Sequence, residues 1–158
     1  MTDTILALKL VHVLGAAMLF GTGLGIAFFM WMAHRTRDAA AIAAAARVVV
    51  IADAVFTASA VVVQPVSGVL LAWALGYSLL ESWIVLSLVL YAVVGLCWLP
   101  VVWIQIELRN LARAAAGQGA ALSARYQRLF RVWFVLGWPA FLSVIAIFAL
   151  MIWKPKLW

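Results

Sequence analysis

Four runs in this chain are long and apolar enough to cross a lipid bilayer, and no other feature restricts its folding so strongly. A spanning helix needs about 20 mostly apolar residues, and Ile5–Ala33, Val48–Gly76, Ser82–Ile106 and Leu129–Trp153 all exceed that length. Hydrocarbon offers the backbone no hydrogen-bond partners, so each run must satisfy its own amides as a helix. The remaining residues cannot make a water-soluble coat. The chain is 69% hydrophobic and 10% charged, against about 45–50% apolar and about 25% charged in soluble domains. The expected fold is therefore all-α, a single-domain (1–158) integral membrane bundle of four helices running up and down. The first run has no basic segment before it and is too long for a signal sequence, so it is read as a retained span.

Charge placement sets the expected orientation. Arg35, Arg37 and Arg47 follow the first run, and Arg109, Arg113, Arg125, Arg128 and Arg131 follow the third or open the fourth. Only Lys9, Lys154 and Lys156 fall on the opposite side, and the short GYSLLES turn has no base. The positive-inside rule then puts the long connections in the cytoplasm and both termini outside, in the periplasm for a bacterial inner membrane. A pI near 10.3 would suggest nucleic acid in a soluble protein. Here the bases lie in loops and report topology, so no nucleic-acid partner is expected. The one cysteine, Cys97, excludes a disulfide framework or a cysteine metal cluster.

Ala39–Ala46 reads as a continuation of the second helix, since alanine is the strongest helix former. The third helix is expected to run to about Ala116 and stop at Gly117-Gln118-Gly119. Pro65, Pro100 and Pro139 lie within spans, and each frees a carbonyl one turn earlier. Trp73, Trp83, Trp153 and Trp158, with Tyr77, are assigned to an outer aromatic belt, and Trp31, Trp103 and Trp133 to an inner one. Trp98 and Trp138 fall deeper.

Ionisable residues inside hydrocarbon are expensive and are functional candidates for that reason. His12 lies about 10 Å into the first span, with Lys9 one turn above it on the same face. Gln64, Pro65, Ser67, Ser87, Tyr91, Ser143, Ile147 and Met151 reach a similar depth on the other helices. His12 is either a metal or cofactor ligand or a buried imidazole hydrogen-bonded to a neighbour such as Gln64 or Tyr91. Lys9 reads chiefly as an interfacial anchor. Asp53 is either a structural acceptor, for an arginine or another donor, or a proton-relay carboxylate. His34, beside Arg35 and Arg37, reads as a cytoplasmic surface residue. Gly21 and Gly25 form a GxxxG stripe suited to close helix approach, in a homodimer or a larger complex. Gly15 and Gly23 share the His12 face and would leave room there for a flat macrocycle.

The segments LKLVHVLGAAMLFGTGLGIAFFM, VVVQPVSGVLLA, LCWLPVVWIQIELRNLA and YQRLFRVWFVLGWPAFLSVIAIF resemble a bacterial family of predicted integral membrane proteins. This is domain-of-unknown-function family 2269, and the likeness covers nearly the whole chain. A more distant resemblance is to the four-helix HemJ-type protoporphyrinogen oxidases and the copper-resistance D-type membrane domains. Their first-helix histidine sits in a K-x-x-H-like setting, matched by Lys9 and His12. Other polar signature residues of that enzyme group are not evident.

That resemblance implies heme b with His12 as axial metal ligand and Lys9 beside it. Gly15 and Gly23 by helical face, and Gln64 and Tyr91 by depth, are the further residues expected around the cofactor. Met18, Met151, Lys9 or a partner chain's His12 are then the candidates for the second axial position. The expected function is a small cytochrome b-like protein with a redox role toward quinone or porphyrin. The alternatives are a non-catalytic subunit or assembly factor of a larger membrane complex, and a metal-ion transporter.

Overall fold

A computed structural model describes residues 3–158 as four long helices, with no strand among the described residues: α1 Asp3–Thr36, α2 Ala39–Ala74, α3 Ser82–Gln118 and α4 Ala124–Trp153. Each is long and apolar enough to span a membrane, which makes the protein a multi-pass integral membrane protein in contact with lipid. The helix ends follow from local chemistry. Asp38 accepts the Ala40 N–H at 2.9 Å and caps α2. Ser123 does the same for the Tyr126 N–H at 3.2 Å, so α4 begins earlier than Leu129. Both satisfy amides that the first helical turn leaves without partners. Gly119, at φ +60°, closes α3 in the left-handed conformation that glycine adopts without penalty.

The α1–α2 connection and the α3–α4 connection share one end of the bundle, where the arginines gather. Glu107 pairs there with Arg125 at 2.9 Å, and His34 meets Tyr126. The α2–α3 turn and the C-terminal residues share the other end. There Ser82 donates to the Pro155 carbonyl and accepts from the Leu157 N–H, while the Lys154 ammonium lies 4.7 Å from the Tyr77 ring centre.

Buried apolar side chains form two separate clusters. The larger is at the basic end and includes Met30, Ile42, Leu108, Tyr126 and Phe130. The smaller is at the terminal end, around Ala72, Trp83 and Ile84. Phe20 contacts Phe141 and Phe148 across α1 and α4. The terminal-side half of α2, Ala58–Ala74, lies against α1, while α3 packs along α4. The short turn therefore joins two helix pairs, and α2 meets α3 chiefly through Ala39–Ala52 at the basic end.

The tryptophans divide differently from the expected belts. Trp73, Trp153, Trp158, Trp31 and Trp103 face outward, but Trp83 and Trp133 are buried. Trp138, placed deep by the sequence, is exposed on the lipid-facing surface.

Candidate functional site

One face of α2 carries Asp53, Thr57, Ala60, Gln64 and Ser67, at steps of four, three, four and three residues. That spacing holds side chains on a single stripe, and the stripe faces inward. Asp53, Thr57, Ala60 and Ser67 are buried and Gln64 is half-buried. From Asp53 to Ser67 the stripe covers about 21 Å of helix rise.

At the terminal-side end of the stripe, His12 Nδ1 lies 3.0 Å from Ser67 Oγ. The Ser67 hydroxyl also lies 2.7 Å from the Val63 carbonyl, one turn earlier. With its hydrogen directed to that carbonyl, the serine oxygen accepts from Nδ1–H. In that arrangement the imidazole lone pair is on Nε2. The ring sits against the backbone of Gly68, where an added Cβ would come within 3.1 Å of His12 Cε1. Gln64 fills the neighbouring position. Its amide donates to the His12 carbonyl at 2.9 Å and accepts from the Ala16 N–H at 3.2 Å. That approach requires glycine at position 15, since a Cβ there would lie 2.7 Å from the amide.

Tyr91 does not reach His12. Its hydroxyl donates to the Val61 carbonyl at 2.6 Å. Val61 stands four residues before Pro65, so its carbonyl is the one that the proline's missing N–H leaves free. Lys9 is half-buried one turn from His12. Of the methionines considered as ligands, Met18 is exposed and Met151 packs with Ala72, Trp83 and Ile84.

At the basic-side end of the stripe, α2 widens into a π turn over Asp53–Thr57. Asp53 is 4% exposed, and both carboxylate oxygens lie 3.2 Å from the Trp98 indole nitrogen. An indole, not an arginine, is thus its partner. No ion pair to Asp53 occurs among the described residues. The Thr57 hydroxyl is buried and has no hydrogen-bond partner. The π turn explains this, because it removes the regular one-turn geometry in which a buried threonine bonds the carbonyl four residues back.

These contacts revise the macrocycle expectation. The space beside Gly15 holds the Gln64 amide, and Gly23 meets no side chain within 4 Å, about 16 Å along α1 from His12. The residues named for a heme are thus not gathered around one flat gap. His12 Nε2 has the right chemistry for an axial bond, but the Gly15 side does not fit the ring. No group of three or more metal-ligating side chains occurs among the described residues.

His34 also departs from the surface residue read from sequence. Its ring stacks on Phe130 at 3.6 Å between centres and 8° between planes, and its Nδ1 lies 3.3 Å from the Tyr126 hydroxyl. The signal was present but unread, because His34 continues the Ile26–Met30 stripe of α1 by one turn.

A family model described as "Predicted integral membrane protein (DUF2269)" matches residues 6–155. No curated protein and no solved structure matches the chain.

Proposed function

We propose, for a chain that belongs to the DUF2269 family of predicted integral membrane proteins, that it handles protons within the bilayer along the buried polar stripe of α2. The observation that carries this reading is the continuity of that stripe between two ionisable groups, Asp53 and His12. Polar side chains in hydrocarbon are retained against a cost of a few kcal/mol each. The lone pair on His12 Nε2 accepts a proton, giving an imidazolium whose Nδ1–H still donates to Ser67. The imidazolium gives up its Nδ1 proton through the Ser67 hydroxyl, which returns the ring to its neutral form. Transfer onward requires water to enter beside Ala60, and the Thr57 hydroxyl takes that proton while passing its own to the Asp53 carboxylate. Ala60 is the narrowest side chain on this route, and the widened turn supplies the unpaired threonine hydroxyl that receives it. By the positive-inside rule, the basic end faces the cytoplasm of a bacterial inner membrane.

The test uses purified protein in liposomes with a potassium gradient, valinomycin and an entrapped pH dye. Wild-type protein should raise proton flux above that of empty liposomes, and Asp53→Asn, His12→Ala and Ala60→Leu should each return it toward the background. Flux equal to that of empty liposomes, or unchanged in all three variants, refutes the reading.

A second reading, heme b held by His12, draws on the free Nε2 position and on the distant resemblance. It requires the macrocycle to approach from a side other than Gly15. A Soret band in protein produced with heme, lost in His12→Ala, would select it over the proton reading. A third reading, a non-catalytic subunit, draws on Gly21 and Gly25, which meet nothing within 4 Å in this chain and leave that stripe open to another helix.

A further inference from the structure

We infer that the basic end carries a binding site for one anionic phospholipid, seated between α1 and α4. Two adjoining clefts meet at His34. One, of about 740 Å³, is lined by Arg35, Arg37 and Gln127 beside the α3–α4 loop. The other, of about 350 Å³, is an apolar slot formed by Trp31, Phe130, Phe134 and Val135, with Arg131 at its margin. The polar cleft lies where the helices end, and the apolar slot lies one turn further into the spans. This order of charge and apolar surface along the membrane normal is that of a phospholipid: phosphate at the helix ends, acyl chain within.

Charge complementarity argues for an anionic headgroup. The acidic side chains at this end are already committed, Asp38 to the α2 cap and Glu107 to Arg125. Arg37 and Arg131 have no acidic partner among the described residues, and Arg35 lies over the Trp31 ring at 5.2 Å. Arg37 is presented by a left-handed residue at φ 57°, a conformation that a non-glycine side chain rarely adopts. His34 is held by its stack on Phe130 and forms the wall between the two clefts. Basic pockets between spans are suited to lipid phosphates, with about 1 kcal/mol for each basic residue near the surface.

The deciding experiment is native mass spectrometry of the full chain in mild detergent, titrated with phosphatidylglycerol or phosphatidylcholine. Phosphatidylglycerol should be retained preferentially as a single adduct. The double variant Arg35→Gln/Arg37→Gln should weaken it by about thirtyfold, with far-UV circular dichroism unchanged. Val135→Trp, which fills the slot without touching an arginine, should also reduce retention, so a folding defect in the double variant would not leave the proposal untested. Equal retention of the two lipids overturns it, as does retention unaffected by both sets of substitutions. Displacement by an equal concentration of inorganic phosphate would also overturn it, since the site would then recognise a free anion and not a lipid.

Discussion

Replacing Gly15 by alanine sets a gain in helix propensity against two interhelical hydrogen bonds. The new Cβ would lie 2.7 Å from the Gln64 amide, which is closer than contact allows. The amide is the far end of a flexible side chain, so it swings away and loses its bonds to the His12 carbonyl and the Ala16 N–H. Interhelical hydrogen bonds in membranes contribute about 0.6–2 kcal/mol each, so the loss is about 1–4 kcal/mol. Alanine returns about 1 kcal/mol relative to glycine in a helix. The net effect of Gly15→Ala alone ranges from near zero to about 3 kcal/mol of destabilisation.

The coupling is sharper than the single value. In a Gln64→Ala background the added methyl meets no amide, and Gly15→Ala should then stabilise by about 1 kcal/mol. The double-mutant cycle, measured by reversible unfolding in mixed detergent micelles with tryptophan fluorescence, should therefore show coupling of about 1–4 kcal/mol. Additivity within about 0.5 kcal/mol would mean that the amide does not occupy this position, and the description of the site would fail with it.

Two further substitutions probe the stripe. Tyr91→Phe leaves the Val61 carbonyl without its donor and should destabilise by about 1–2 kcal/mol. Pro65→Ala supplies a backbone N–H to that carbonyl, so the Tyr91→Phe/Pro65→Ala double variant should recover most of the loss in the same unfolding assay. Trp98→Phe removes the indole N–H donor to the Asp53 carboxylate and should cost about 1–3 kcal/mol. Adding Asp53→Leu should recover stability while abolishing any Asp53-dependent proton flux, and failure to recover would show that the indole serves packing and not the carboxylate.

The fold was legible because hydrocarbon imposes a length on every span and because the stop at Gly117-Gln118-Gly119 acts locally, whereas the caps at Asp38 and Ser123 lie outside the sequence reading, which starts the fourth span only at Leu129. The extension of α2 back to Ala39 follows from the same local reasoning. The site was legible only in part. His12 and Asp53 stand out by charge, but their partners, Ser67 and Trp98, come from other helices and depend on rotation about each helix axis. Apolar residues surround these spans on all sides, so periodicity carries little information about that rotation. The π turn was hidden for a related reason: Ala52–Ala58 has no proline or glycine to mark a change in winding. Gly15 reads in the sequence as open space on the His12 face, and nothing in the sequence shows that an amide, not a macrocycle, fills it.

The separation of the apolar core into two clusters has a mechanical consequence. The basic end, with Leu108, Ile42 and Tyr126 fully buried, is a rigid base from which two arms extend: α1 with Ala58–Ala74, and α3 with α4. Few side chains tie the arms together, chiefly Tyr91 to the Val61 carbonyl, Phe20 to Phe141 and Phe148, and Ala72 packed with Trp83 and Ile84. The π turn at Asp53–Thr57 lies where α2 leaves the base, at the pivot of the first arm. Spreading the arms would uncover His12 and its hydrogen bonds while Asp53 stayed enclosed at the pivot, so access to the two ends of the polar stripe is governed by different parts of the molecule.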